Sequence, residues 1–208
     1  MGEIIKFPGQ SPFGFKRVSK RSKVVEDPAQ LNLFPQPTGQ VIDLVVGAGR
    51  FGQALLWDER GDSKAGDLYR KAIEEGDCVA DAYCNLGILE SQQANTAKAF
   101  DCFTTSLKHN PRHLEAHYNL GNLYFDANEF RLAQLHYELA AEVDPSFSSV
   151  YFNLALVRAI NNDVAGAVSA LTEYQRRVPD KEGRQAEELL NNLKRSVAAA
   201  KSSRVGPA

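Results

Sequence analysis

A recurrence of 34 residues constrains this chain more than any other feature. Ala65, Ala99, Ala133 and Ala167 stand 34 apart, and four residues after each come Tyr69, Phe103, Tyr137 and Leu171. Three further on lie Ala72, Ser106, Ala140 and Tyr174. Side chains at i, i+4 and i+7 fall on one stripe of a helix, so each period contains a helix with a buried face. A second register, Tyr83-x-x-Leu86-Gly87, His117-x-x-Leu120-Gly121 and Tyr151-x-x-Leu154-Ala155, repeats at the same interval. Each unit therefore carries two helices, A and B. Pro111, Pro145 and Pro179 recur too, and a residue without a backbone N–H ends helix B. The turns near Ala94-Asn95, Ala127-Asn128 and Asn161-Asn162-Asp163 are short enough to force antiparallel neighbours.

This pattern resembles the tetratricopeptide repeat, a helix-turn-helix unit of the same length, over about residues 50–199. The resemblance implies an all-α fold, a right-handed superhelical solenoid of antiparallel helix pairs. Its boundaries are expected at about 46–79, 80–113, 114–147 and 148–181, giving four repeats over residues 46–179. Counting back 34 from Leu86-Gly87 reaches Gly52-Gln53, so the first repeat is half degenerate, with helix A at about Arg50 to Glu59 and helix B at about Ser63 to Glu75. Residues 181–199 read as a capping helix with Ala186, Leu189, Leu190, Leu193 and Val197 on one stripe. Residues 200–208 read as a flexible tail, and residues 1–45 as a disordered or extended basic segment rich in Pro, Gly, Lys and Ser.

Charge divides the chain in the same way. Residues 1–40 carry net +3 and residues 194–208 net +4, which leaves the middle at −9. An acidic solenoid disfavours nucleic acid except through its basic tails, and favours neutral or basic partners. The cluster Lys16, Arg17, Lys20, Arg21 and Lys23 is either a solvated charge run or a contact for nucleic acid or an anionic surface. Cys78, Cys84 and Cys102 form no C-x-x-C and no even-numbered framework, which points to a reduced intracellular protein. With no apolar run long enough for a leader or a membrane span, the expectation is a cytoplasmic protein without a membrane partner.

Enzymatic signatures are weak. The sequence holds no G-x-S-x-G, H-E-x-x-H, Walker or paired-Cys pattern. Gly47-Ala48-Gly49-Arg50-Phe51-Gly52 has dinucleotide-motif spacing after the strand-like Val41 to Val46. Ala65 to Ile73 then stand in helical repeat register where a dinucleotide fold needs a second strand, so a dinucleotide-dependent enzyme is only a remote alternative. His109, His113 and His117 lie four apart, but Pro111 interrupts them and His117 occupies the core position of Tyr83 and Tyr151. No catalytic residue, metal site or cofactor is expected.

The informative polar row is Asn85, Asn119 and Asn153, one per helix A and 34 apart. By resemblance this position faces the concave groove, and an amide there offers a donor and an acceptor to any extended backbone. The family positions beside it are Asp81, Cys84 and Ile88, then Glu115, Tyr118 and Asn122, then Phe152 and Leu156. Together they imply a peptide site for basic and apolar side chains. Tyr118 and Phe152 fit packing between A helices nearly as well. Some family members clamp acidic C-termini with Asn and cations; Arg50 and Asn85 suit that pattern, but Glu115 and Asn119 stand where cations are needed. The chain is thus expected to be a non-enzymatic interaction scaffold or adaptor. The alternative is an assembly protein that self-associates through its convex face, cap or N-terminal segment. A variant of the groove reading has Leu31 to Pro35 docked there as an internal ligand.

Overall fold

The computed structural model describes residues 14–19, 49–178, 186–193 and 195. Eight helices succeed one another: α1 (Arg50–Glu59), α2 (Lys64–Glu74), α3 (Val79–Gln92), α4 (Thr96–His109), α5 (Leu114–Asp126), α6 (Phe130–Val143), α7 (Ser148–Ile160) and α8 (Val164–Arg177). Residues 186–193 are also helical. Among the described residues there is no strand. Each helix packs on its neighbours in sequence, and α3 additionally meets α5, which is the contact order of a solenoid.

The stripe of small and large residues makes this packing possible. Ala65, Tyr69, Ala99, Phe103, Ala133, Tyr137, Ala167 and Leu171 are all at most 1% exposed. Gly87 on α3 lies so close to α4 that an added Cβ would stand 2.8 Å from the Phe103 ring. Gly121 on α5 repeats the arrangement, at 2.5 Å from the Tyr137 ring. In the fourth unit the same two places hold Ala155 and Leu171, both fully buried, so the smaller helix-B residue accompanies a larger helix-A one.

The A-to-B turns share one backbone solution. Ala94, Asn128 and Asn162, 34 apart, adopt left-handed φ values of 61°, 62° and 63°. Asn tolerates this conformation better than Ala. Asp163 caps α8 by accepting from the Gly166 amide at 2.8 Å, and the His113 ring caps α5 by accepting from the Ala116 amide at 3.2 Å.

Two apolar clusters run through the solenoid. One joins α1 to α5 and includes Val18 from the N-terminal segment; the other joins α5 to α8 and includes Ala186, Leu190 and Leu193. No helix among the described residues is long and apolar enough to cross a membrane.

The glycine motif falls at the beginning of α1. Gly49 precedes the helix and Arg50 to Gly52 belong to it. The Phe51 amide donates to the Asp77 carboxylate at 2.8 Å, and a Cβ on Gly49 would stand 2.3 Å from the same carboxylate. The glycine is therefore required so that an acid can approach a helix N-terminus, and that acid would repel a pyrophosphate. Val41 to Val46 and Leu31 to Pro35 lie outside the described residues.

Candidate peptide-binding groove

The face built from α1, α3 and α5 is covered by part of the chain itself. Residues 14–19 run without secondary structure along it. Asn119 holds Lys16 at both backbone groups: its Oδ1 accepts from the Lys16 amide at 2.7 Å and its Nδ2 donates to the Lys16 carbonyl at 2.9 Å. Asn85 does the same to Val18, at 2.9 and 3.0 Å. One repeat along the solenoid therefore corresponds to two residues along the bound segment, the period at which an extended chain returns its backbone groups to the same side. Asn122 Nδ2 then donates to the Gly14 carbonyl at 2.6 Å. Gly14 keeps the two-residue step along the segment but meets a second residue of α5 rather than the next repeat, and its φ of +59° ends the extended run there.

Each gripping amide is itself held. Asn85 Nδ2 also donates to Tyr69 Oη at 3.1 Å, and Tyr69 donates to the buried Asp58 carboxylate at 2.9 Å. Burial, then the charge of Asp58, pushes the Tyr69 phenol far up, so it stays a donor. Asn119 Nδ2 reaches Cys84 Sγ at 3.5 Å. Asn122 Oδ1 accepts from Tyr137 Oη at 2.8 Å and from Asn153 Nδ2 at 3.1 Å. Asn153 Nδ2 donates as well to Tyr118 Oη at 3.2 Å. Asn85 and Asn119 are wholly buried beneath the segment, as is Cys84, whose thiol is pushed well up by burial.

The segment's side chains find distinct neighbours. Val18 is 2% exposed within the α1-to-α5 cluster. Phe15 stacks on Phe103 with ring centroids 5.9 Å apart. The Lys16 ammonium lies 5.7 Å from the centre of the Phe147 ring. Arg17 forms an ion pair with Asp58, and its guanidinium also donates to the Asp58 carbonyl and to Gln92 Oε1, each at 3.4 Å.

The other residues singled out by the sequence fall into two groups. Ile88, Tyr118, Phe152 and Leu156 are buried. Tyr118 meets Phe147 edge-on at 5.0 Å, and Phe152 meets Tyr174 at 5.3 Å. The two acids flank a histidine: Asp81 Oδ1 is 2.9 Å from His113 Nε2, and Glu115 Oε2 is 3.5 Å from His113 Nδ1. His117 packs against His136, with Nδ1 atoms 3.2 Å apart, and its Nε2 reaches the Pro111 carbonyl at 3.0 Å. Among the described residues no group of His, Cys, Asp and Glu could hold a metal ion. Arg50, a cation the carboxylate-clamp pattern would use, is paired with Glu75 at 2.9 Å.

Sequence reasoning gave Asp58 and Gln92 no role, placed Tyr69 only in the packing stripe, and read Lys16 and Arg17 only as members of a basic cluster. Gln92 stands 34 after Asp58, so the period marks the two as equivalent ends of helix A. The degeneracy of the first repeat hid that relation.

Residues 84–130 and 118–182 match the family model described as "Tetratricopeptide repeat". The repeat of helix pairs over the rest of α1 to α8 agrees with it. The chain is a tetratricopeptide-repeat protein. Solved structures of other repeat proteins share this fold at low identity. MamA 41-end from Desulfovibrio magneticus RS-1 aligns with a TM-score of 0.61 at 17% identity, covering 74% of this chain and 87% of that one. The first repeat domain of Spaghetti (RPAP3), bound to the HSP90 peptide SRMEEVD, aligns with a TM-score of 0.53 at 19% identity, covering 57% of this chain and 93% of that one. The first repeat domain of human RPAP3 gives 0.52 at 19%, covering 60% and 96%. A search of curated proteins gives no match. At these identities the likeness carries the fold, and the groove has to be read from its own residues.

Proposed function

We propose that this tetratricopeptide-repeat protein is a non-enzymatic interaction module whose α1–α3–α5 face takes an extended peptide by its backbone. The observation that carries this reading is the pair of two-point contacts, Asn119 on Lys16 and Asn85 on Val18. A side-chain amide that satisfies both the N–H and the C=O of one residue is indifferent to that residue's identity, so the same row serves a chain supplied from outside. The fold neighbour that holds an HSP90 peptide supports use of such a scaffold for short peptides. Here the occupant would be neutral or basic rather than acidic, because Asp58 borders the channel and Arg50 is engaged by Glu75. Three free thiols suit a reducing compartment such as the cytoplasm.

The test is a labelled peptide copying residues 13–19, titrated into the full chain carrying Arg17→Glu, which sets a second carboxylate against Asp58 and clears the face of its own segment, and into the same chain with Asn85→Ala/Asn119→Ala added. Four hydrogen bonds at about 1 kcal/mol each are at stake, so affinity should fall at least about tenfold. N-methylation of the peptide at the nitrogen corresponding to Lys16 should cost nearly as much. Equal affinity for both proteins would refute backbone capture.

A further inference from the structure

The backbone grip explains how a chain is held but not which chain, and the answer lies at the end of α1. Asp58 is a carboxylate only 6% exposed. One of its oxygens accepts from Tyr69 Oη at 2.9 Å, and the other meets Arg17. Among the described residues Arg17 is the ion-pair partner of Asp58, and it comes from the bound segment rather than from the solenoid. A carboxylate in such a place is costly unless a cation joins it. The solenoid thus leaves one half of a buried ion pair to be completed by whatever occupies the groove.

The remaining contacts choose the kind of cation. Arg17 Nη1 also reaches the Asp58 carbonyl and Nη2 reaches Gln92 Oε1, each at 3.4 Å, so acceptors on α1 and α3 diverge around one planar group. A guanidinium spans that set; an ammonium is a point charge that does not. The position is also fixed in register. It comes after the residue held by Asn119 and precedes the one held by Asn85, whose Val18 side chain is buried among apolar groups. Two positions before it, Phe15 stacks on Phe103.

We propose that Asp58 is a specificity residue of the groove, selecting partner segments of the form aromatic–any–Arg–aliphatic, and that the chain's own Phe15 to Val18 is the built-in competitor such a partner displaces. This rests on the peptide-capture reading above. Charge complementarity agrees with it, since the middle of the chain carries net −9.

The experiment uses the full chain with Arg17→Glu, which places a second carboxylate against Asp58 and should unseat the segment. The labelled copy of residues 13–19 should bind this variant at least about fivefold more tightly than it binds the wild-type chain. Arg17→Ala and Arg17→Lys versions of the peptide should each bind about tenfold or more weakly than the Arg peptide. In the Arg17→Glu/Asp58→Asn protein, whose side chain retains an acceptor for Tyr69, the difference between Arg and Ala peptides should shrink below about threefold. A charge exchange supplies the second readout: Asp58→Arg should prefer the Arg17→Glu peptide. Equal binding of Arg, Lys and Ala peptides that is still abolished by Asn85→Ala/Asn119→Ala would overturn the specificity assignment and leave backbone capture standing. Failure of every peptide to bind the Arg17→Glu chain would overturn both. Wild-type and Arg17→Glu chains binding the Arg peptide alike would overturn the competition.

Discussion

Single side chains in this protein are fixed by what they must satisfy. Asn85 illustrates it: the side chain is buried, with its oxygen on the Val18 amide and its nitrogen shared between the Val18 carbonyl and Tyr69 Oη. The histidines obey the same accounting. His117 and His136 place their Nδ1 atoms 3.2 Å apart, so one must donate and the other accept; the accepting ring has to be neutral, and the contact is lost if both are protonated. Burial first, and the neighbouring His117 second, lower His136 to about 4, and burial lowers His117 as well. An unfolded chain takes up these protons near pH 6.5, the folded one only at lower pH. Between the two the unfolded state binds more protons, so stability falls as pH drops from about 7 towards 4. Chemical denaturation at pH 7 and pH 5 should show a loss on the order of 1–2 kcal/mol. The His136→Gln variant should lose less; an unchanged pH dependence in that variant would place the effect elsewhere.

At the scale of elements, the helix pair is set by a trade between its two members. In the second and third units helix B carries an aromatic residue, Phe103 or Tyr137, and helix A carries Gly87 or Gly121; in the fourth, helix B carries Leu171 and helix A carries Ala155. Gly87→Ala would push a methyl group to 2.8 Å from the Phe103 ring, which is fully buried and cannot swing away. Overpacking of this kind costs about 1–3 kcal/mol. Phe103→Leu should also destabilise, by leaving space. Combining them recreates the Ala–Leu pair of the fourth unit, so the double variant should be more stable than the sum of the single losses predicts. Strict additivity in thermal or denaturant unfolding would show that the two positions do not share one space.

For the molecule as a whole, the 34-residue recurrence made the helix pairs, their order and their small-to-large contacts legible from the sequence. It could do so because every repeat solves the same packing problem, and the solution is written in Ala, Gly, Leu and aromatic positions. The polar row was legible for the same reason, since Asn85, Asn119 and Asn153 recur where packing does not demand an amide. What covers two of them was not. Residues 14–19 occur once in the chain, so the places taken by Phe15, Arg17 and Val18 leave no internal recurrence to read. Lys16 and Arg17 read as members of a basic run, while one lies over Phe147 and the other against Asp58. Asp58 itself was hidden in the degenerate first unit. Long-range pairing between a non-repeating segment and a repeating surface leaves no internal recurrence to detect.

That pairing decides whether the asparagine row works as a backbone grip, and hydrogen exchange of the full chain tests it most directly. The Lys16 and Val18 amides, which donate to Asn119 and Asn85 at 2.7 and 2.9 Å, should exchange at least about tenfold more slowly than unstructured amides of the same sequence. In Asn85→Ala/Asn119→Ala that protection should vanish while the helices keep theirs. Exchange at Lys16 and Val18 at the unstructured rate in the wild-type chain, or protection that survives the double substitution, would contradict the asparagine row as the element that holds an extended chain.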